Sequence, residues 1–148
     1  DETSEGLLLL TTDGKVSEEI RSNKVDKEYF AQLDGEISVE AIQLLREGIV
    51  ISVNKKKYKT LPCEVRLLNP APVFEARTKK IRDERHGPTT WVSITIREGK
   101  FRQVRKMTAA VGFPTLRLLR VRIGNIQLGD MKPGDVIEVK NFESEKIK

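Results

Sequence analysis

The stretch EGKFRQVRKM, residues 98–107, sets four cations, Lys100, Arg102, Arg105 and Lys106, beside a glycine where a strand-like run gives way to a helix-like one. Upstream, Val92, Ile94 and Ile96 alternate with Ser93, Thr95 and Arg97, which predicts a half-buried strand over 91–97. Downstream, Phe101, Val104, Met107, Ala110 and Val111 recur at three- and four-residue spacing. The pattern stops at Gly112 with Pro114 just beyond, as helix C-termini do. The four cations then crowd the first two turns, where the helix dipole disfavours them by roughly 0.3–1 kcal/mol each. A helix N-terminus presents free N–H groups to anions, so this broken local rule points to an anion site. The other reading is a solvated basic face.

Beyond this centre, residues 115–123 resume strand character, with Leu119, Val121 and Ile123 on one face and Arg120 and Arg122 on the other. Leu116 and Leu118 have the opposite parity, which predicts a bulge near Leu118. Gly124-Asn125 turns into a short strand at 126–128, and Lys132-Pro133-Gly134 turns into another at 136–139. On the other side, 76–88 reads as a basic loop after the breaker cluster 69–72, and Trp91 is expected in the core. The apolar run 6–10 reads as a buried strand ending at an Asp13-Gly14 turn, with a short helix near Val16 and Ile20. Tyr29, Ala31 and Leu33 alternate with Glu28, Phe30 and Gln32 before a second turn at Asp34-Gly35. Ser38 is the expected N-cap of a helix whose stripe Ala41, Ile42, Leu44 and Leu45 ends at Gly48. A strand at 49–53, the basic tip NKKKYK at 54–59 and the alternation Cys63, Val65, Leu67 complete the reading. Mixed strands with two or three helices make an α+β domain.

Composition limits what such a domain does. The 148 residues, 38% hydrophobic, suffice for one sizeable core. No apolar run approaches a membrane span, and the opening carries no signal-peptide pattern, so the cytoplasm, or an organelle matrix, is the expected compartment. The single cysteine, Cys63, and the single histidine, His86, exclude an internal disulfide and a Cys/His metal cluster. Net charge is +5, but residues 1–50 carry 12 acids against 5 bases while the rest carry 10 acids against 22 bases. From 99 to 129 there are seven Lys/Arg and no acid. A polyanion is the expected partner of the second half, and nucleic acid is the commonest.

Several segments carry a resemblance. EGKFRQVRKMTAAVGFPTLRLLRVRIG (98–124) resembles the C-terminal motif of the small-ribosomal-subunit-type branch of pseudouridine synthases. DETSEGLLLLTTDG (1–14) is similar to that family's catalytic-loop motif from its aspartate onward, with Asp1 at the aspartate and Gly6 at the glycine five residues later. VDKEYFAQLDG (25–35) resembles its tyrosine motif, and GPTTWVSITIREGK (87–100) resembles the strand leading to its basic helix. The Gly-Arg-Leu and the strands that the family places ahead of the aspartate are absent from this sequence, so the expectation is a catalytic domain over 1–140, truncated at its N-terminus, with a charged tail at 141–148.

The resemblance implies a mixed, mainly antiparallel sheet and the isomerisation of a uridine in ribosomal RNA, with 23S RNA of the large subunit as the expected substrate. It implies Asp1 as a carboxylate nucleophile working without metal or cofactor, Arg105 as its paired arginine and Tyr29 as the tyrosine that stacks on the uracil. Lys100, Arg102 and Lys106 are then phosphate contacts, with Arg117, Arg120 and Arg122 as further RNA-binding candidates, and the protein is expected to act as a monomer. A non-catalytic basic RNA-binding or ribosome-assembly module is the alternative.

Overall fold

The computed structural model describes residues 4–9, 14, 18, 24–74, 87–131 and 135–136. The expected short helix at 16–20, most of the basic loop at 76–88, the strand at 136–139, the tail and Asp1 therefore lie outside the described residues.

The strand predicted from the alternation at 91–97 forms over Thr89–Ile96, here β6, and lies inside a six-stranded sheet. With β1 (Glu5–Gly6), β2 (Lys27–Asp34), β5 (Glu64–Leu67) and β7 (Thr115–Ile123), the strand order is β1-β7-β2-β6-β5, and β8 (Ile126–Gln127) pairs with β7. The β1–β7 pair is parallel and the other pairs are antiparallel. Strands β3 (Val50–Val53) and β4 (Lys56–Lys59) form a separate hairpin.

Two helices pack beside the sheet. Helix α1 (Val39–Glu47) begins where the Ser38 hydroxyl accepts a hydrogen bond from the Ala41 amide at 3.1 Å, and it ends at Gly48, whose φ is 104°. That is the expected cap at each end. Its stripe is narrower than expected: Ala41, Ile42 and Leu45 are buried, whereas Leu44 is exposed. Helix α2 (Gln103–Ala110) is shorter at its start than the apolar spacing suggests. Phe101 precedes it in a turn and is 71% exposed, so it contributes ring surface to solvent and to Lys106, not to the core.

Ala31, Leu33, Val92, Ile94, Ile96 and Leu118 from the sheet meet Ile42, Leu45, Val104 and Met107 from the helices, and Ile51 of the hairpin joins them. A smaller cluster of Leu7, Val25 and Ile123 closes the other end of the sheet. The opening run is only a two-residue strand followed by alternating burial, with Leu7 buried and Leu8 73% exposed. Leu67 is likewise exposed at the end of the edge strand β5.

Two expectations about the sheet need correction. Between β2 and β7 the register shifts twice, between Glu28 and Tyr29 and between Gln32 and Leu33, so the extra residues are Val121 and Leu116 and the bulges flank Leu118. Leu118 and Leu119 are both buried because they sit on opposite faces of a sheet covered on both sides. Trp91 belongs to the face away from the helices, where Phe74 lies 6.0 Å from its ring and 6.1 Å from Phe30. Among the described residues no helix is long and apolar enough to cross a membrane.

Candidate functional site

The basic stretch begins with an acid. Glu98 is 1% exposed and its carboxyl group accepts hydrogen bonds from the Tyr58 hydroxyl, from the Leu61 amide at 3.0 Å and from Gln103 Nε2 at 2.9 Å. Buried polar groups need such partners, and Glu98 obtains its set from the hairpin, from the chain entering β5 and from α2. Gln103 in turn accepts from the Lys100 amide at 3.3 Å through its Oε1. The loop 98–102 is therefore folded over a buried Glu98–Gln103 pair, leaving its cationic side chains outside.

Arg102 occupies the N-cap of α2 in the left-handed region, φ 52° and ψ 36°, without a side-chain cap, and the first turn holds no acid. Few non-glycine residues adopt that conformation, at a cost on the order of 1 kcal/mol. Lys100 Nζ lies 4.9 Å from the centre of the Tyr58 ring, and Lys106 Nζ lies 5.5 Å from that of Phe101. Lys100 and Arg102 precede the helix, so only Arg105 and Lys106 of the four cations occupy its first turns.

Arg105 is half-buried, and its Nη1 donates to the Thr115 carbonyl at 3.5 Å, where β7 begins. Thr108 reinforces the joint: its hydroxyl donates to the Arg105 carbonyl at 3.2 Å and lies 2.8 Å from the Thr115 hydroxyl. Tyr29 is half-buried on β2, paired with Ile94 on one side and Arg120 on the other, and packs against the main core beneath the helices.

The arginines of β7, expected as further RNA-binding candidates, are half-buried and each has partners within the chain. Arg117 donates to both carboxylate oxygens of Glu5, at 2.8 and 2.9 Å, with its guanidinium carbon 5.8 Å from the Phe74 ring centre. Arg120 donates twice to the Leu7 carbonyl, at 3.0 and 2.6 Å. Arg122 donates to Glu28 at 3.2 Å and to the Gly124 carbonyl at 3.0 Å. These three hold β1, β2 and the β7–β8 turn together. Lys100, Arg102 and Lys106 instead surround the start of α2.

The backbone of Arg120 also explains why a glycine stands at position 6. A side chain there would bring its Cβ to 2.1 Å from the Arg120 carbonyl oxygen, and the Gly6 φ of 103° suits glycine. The chain is thus pinned onto β7 at Glu5↔Leu119 and Gly6↔Arg120. Sequence reasoning gave no role to Glu98, Gln103 or Glu5. Acid in an otherwise cationic segment was the available signal for Glu98.

Comparison with known proteins places this geometry in a family. Residues 1–110 match the pattern of the RNA pseudouridylate synthases, and the chain belongs to that family. It is 42% identical over 142 residues to ribosomal large subunit pseudouridine synthase E of Vibrio parahaemolyticus, covering 95% of this chain and 58% of the relative. It is also 42% identical over 135 residues to the protein of the same name from Xanthomonas axonopodis pv. citri, covering 90% of this chain and 69% of the relative. Among solved structures, a pseudouridylate synthase superposes with a TM-score of 0.66 at 29% identity, covering 86% of this chain and 47% of that one. The α+β fold with its mainly antiparallel sheet is that of the family. The chain spans between about half and 70% of the length of these proteins.

Proposed function

We propose that the protein is a pseudouridine synthase of the small-ribosomal-subunit-type branch that converts one uridine of large-subunit (23S) ribosomal RNA into pseudouridine, acting in the cytoplasm as a monomer without metal or cofactor. The observation that carries the reading is the parallel pairing of β1 with β7 at Glu5↔Leu119, beside an Arg105 that bonds the Thr115 carbonyl. Because the two strands run in the same direction, the N-terminal end of β1 lies toward the Thr115 end of β7. Asp1 is four residues before Glu5, and Thr115 is four residues before Leu119. Four extended residues span at most about 13 Å, a chain length compatible with the pairing of Asp1 and Arg105 that this reading proposes.

In this reading Arg105 holds Asp1 ionised and aimed, because a nearby cation and its paired N–H donors favour the charged form. The carboxylate adds covalently to the nucleotide as the C1′–N1 glycosidic bond breaks, which divides one hard displacement into two easier steps. The freed uracil turns, a C5–C1′ bond forms, the C5 proton is lost to solvent while N1 takes one up, and Asp1 is released unchanged. Tyr29 stacks on the uracil, recovering roughly 1–3 kcal/mol of the unstacking that base extrusion costs. Lys100, Arg102 and Lys106 contact phosphates. A map of pseudouridines in large-subunit ribosomal RNA from cells with and without the gene tests the reading. One site lost on deletion and restored by the gene is the expected result; an unchanged map overturns it.

A further inference from the structure

The hairpin β3–β4 carries a charge that the catalytic reading does not use. Residues 50–61 contain Lys55, Lys56, Lys57 and Lys59 and no acid. All four lysines are exposed, and among the described residues no ion pair joins any of them to an acid. The pairing Val53↔Lys56, Ser52↔Lys57, Ile51↔Tyr58 and Val50↔Lys59 sorts the side chains. Ile51 and Tyr58 turn inward to the core, whereas Val50, Ser52, Lys57 and Lys59 form an outer face, with the two lysines about 7 Å apart along the strand. Asn54 and Lys55 both have positive φ, 51° and 66°, which gives the tight turn that places Lys55 at the tip.

The hairpin is also fixed relative to the catalytic helix. Tyr58 donates its hydroxyl to Glu98, and Lys100 Nζ stands over the other side of the same residue, 4.9 Å from its ring centre. The Thr60 hydroxyl accepts from the Ile49 amide at 2.9 Å, and the Thr60 amide donates to the Ile49 carbonyl at 3.0 Å, closing the hairpin base. The hairpin thus carries Lys55 at its tip and Lys57 and Lys59 on its outer face, and it is tied through Tyr58 to the loop that holds Lys100 and Arg102 ahead of α2. Charge this dense, carried on the hairpin by lysines rather than bidentate arginines, suits point contacts to successive phosphates.

We propose that the β3–β4 hairpin is a second RNA-docking element, which grips the phosphate backbone of a structured segment beside the target uridine and fixes its register against Arg105. The inference rests on the pseudouridine synthase reading for the identity of its ligand. The test uses the full-length protein, an unmodified large-subunit ribosomal RNA transcript as the probe, and two variants in which Lys55, Lys56, Lys57 and Lys59 are all changed to Gln or all to Arg. With Gln, the slope of log affinity against log salt becomes shallower by roughly 3, as expected when about four phosphate contacts are lost, and the kinetic loss falls on KM. With Arg, affinity is retained. A Gln variant that binds as tightly and with the same salt slope overturns the hairpin's role, whether or not the protein makes pseudouridine. Failure of the unmutated protein to modify any uridine, while the Gln variant still loses affinity and slope, removes the enzymatic reading and leaves the hairpin standing.

Discussion

Arg105 is held at both ends of its role, through its backbone carbonyl by Thr108 and through its guanidinium by the Thr115 carbonyl. A lysine there keeps the charge but replaces a planar fork with a point donor, so Arg105→Lys is expected to reduce single-turnover rate at least about tenfold more than RNA affinity. Equal losses in a rapid-quench assay and in filter binding count against its pairing with Asp1. Glu98 is the residue on which the basic loop folds, and Glu98→Ala leaves the Leu61 amide and the Gln103 side chain without their acceptor. Stability is expected to fall by about 2–4 kcal/mol, read from urea denaturation. Cys63 is half-buried, its thiol donating to the Leu45 carbonyl at 3.2 Å; burial, with Glu64 alongside, pushes it up to about 11. An acid with a raised pKa stays protonated up to that pH, so at pH 8 alkylation should run roughly a hundredfold slower than for a free thiol. Alkylation at the free-thiol rate would show that the thiol is not held there.

Helix α2 begins against the usual rules, with an arginine in the left-handed region at its N-cap and no acid in its first turn. Arg102→Gly removes that backbone strain and is expected to raise stability by about 0.5–1 kcal/mol while weakening RNA binding. Thermal denaturation and filter binding on the same preparation check the two signs; loss of stability would show that Arg102 is there for the fold. What was legible at this scale is what neighbouring residues decide. The alternation of β2 and β6, the Ser38 cap and the Gly48 stop of α1 are local signals, and they match the observed elements. Phe101 misled because helical spacing does not reveal that the helix starts two residues later. The place of Trp91 depends on Phe74, which lies between it and Phe30 on the far face, a contact that local alternation does not contain. Glu98 was visible as an acid, but its partner Tyr58 is 40 residues away.

Over the whole molecule the charge divides: acids concentrate in the first 50 residues, and the surface formed by the hairpin and the α2 loop is cationic. The arginines of β7 were readable as basic, but their partners Glu5, Leu7 and Glu28 were not, because these come from segments remote in sequence. Family membership, the pinned β1 strand and the Arg105–Thr115 joint are the support for the proposed pairing of Asp1 with Arg105. The most direct measurement is pseudouridine yield from large-subunit ribosomal RNA with the full-length protein, comparing the unmutated chain with Asp1→Asn. Amide and carboxylate have the same shape, but an amide is a poor nucleophile, so the variant should give no detectable product while binding the RNA as tightly or more tightly. Product formed by Asp1→Asn at more than a few per cent of the unmutated rate would contradict the account.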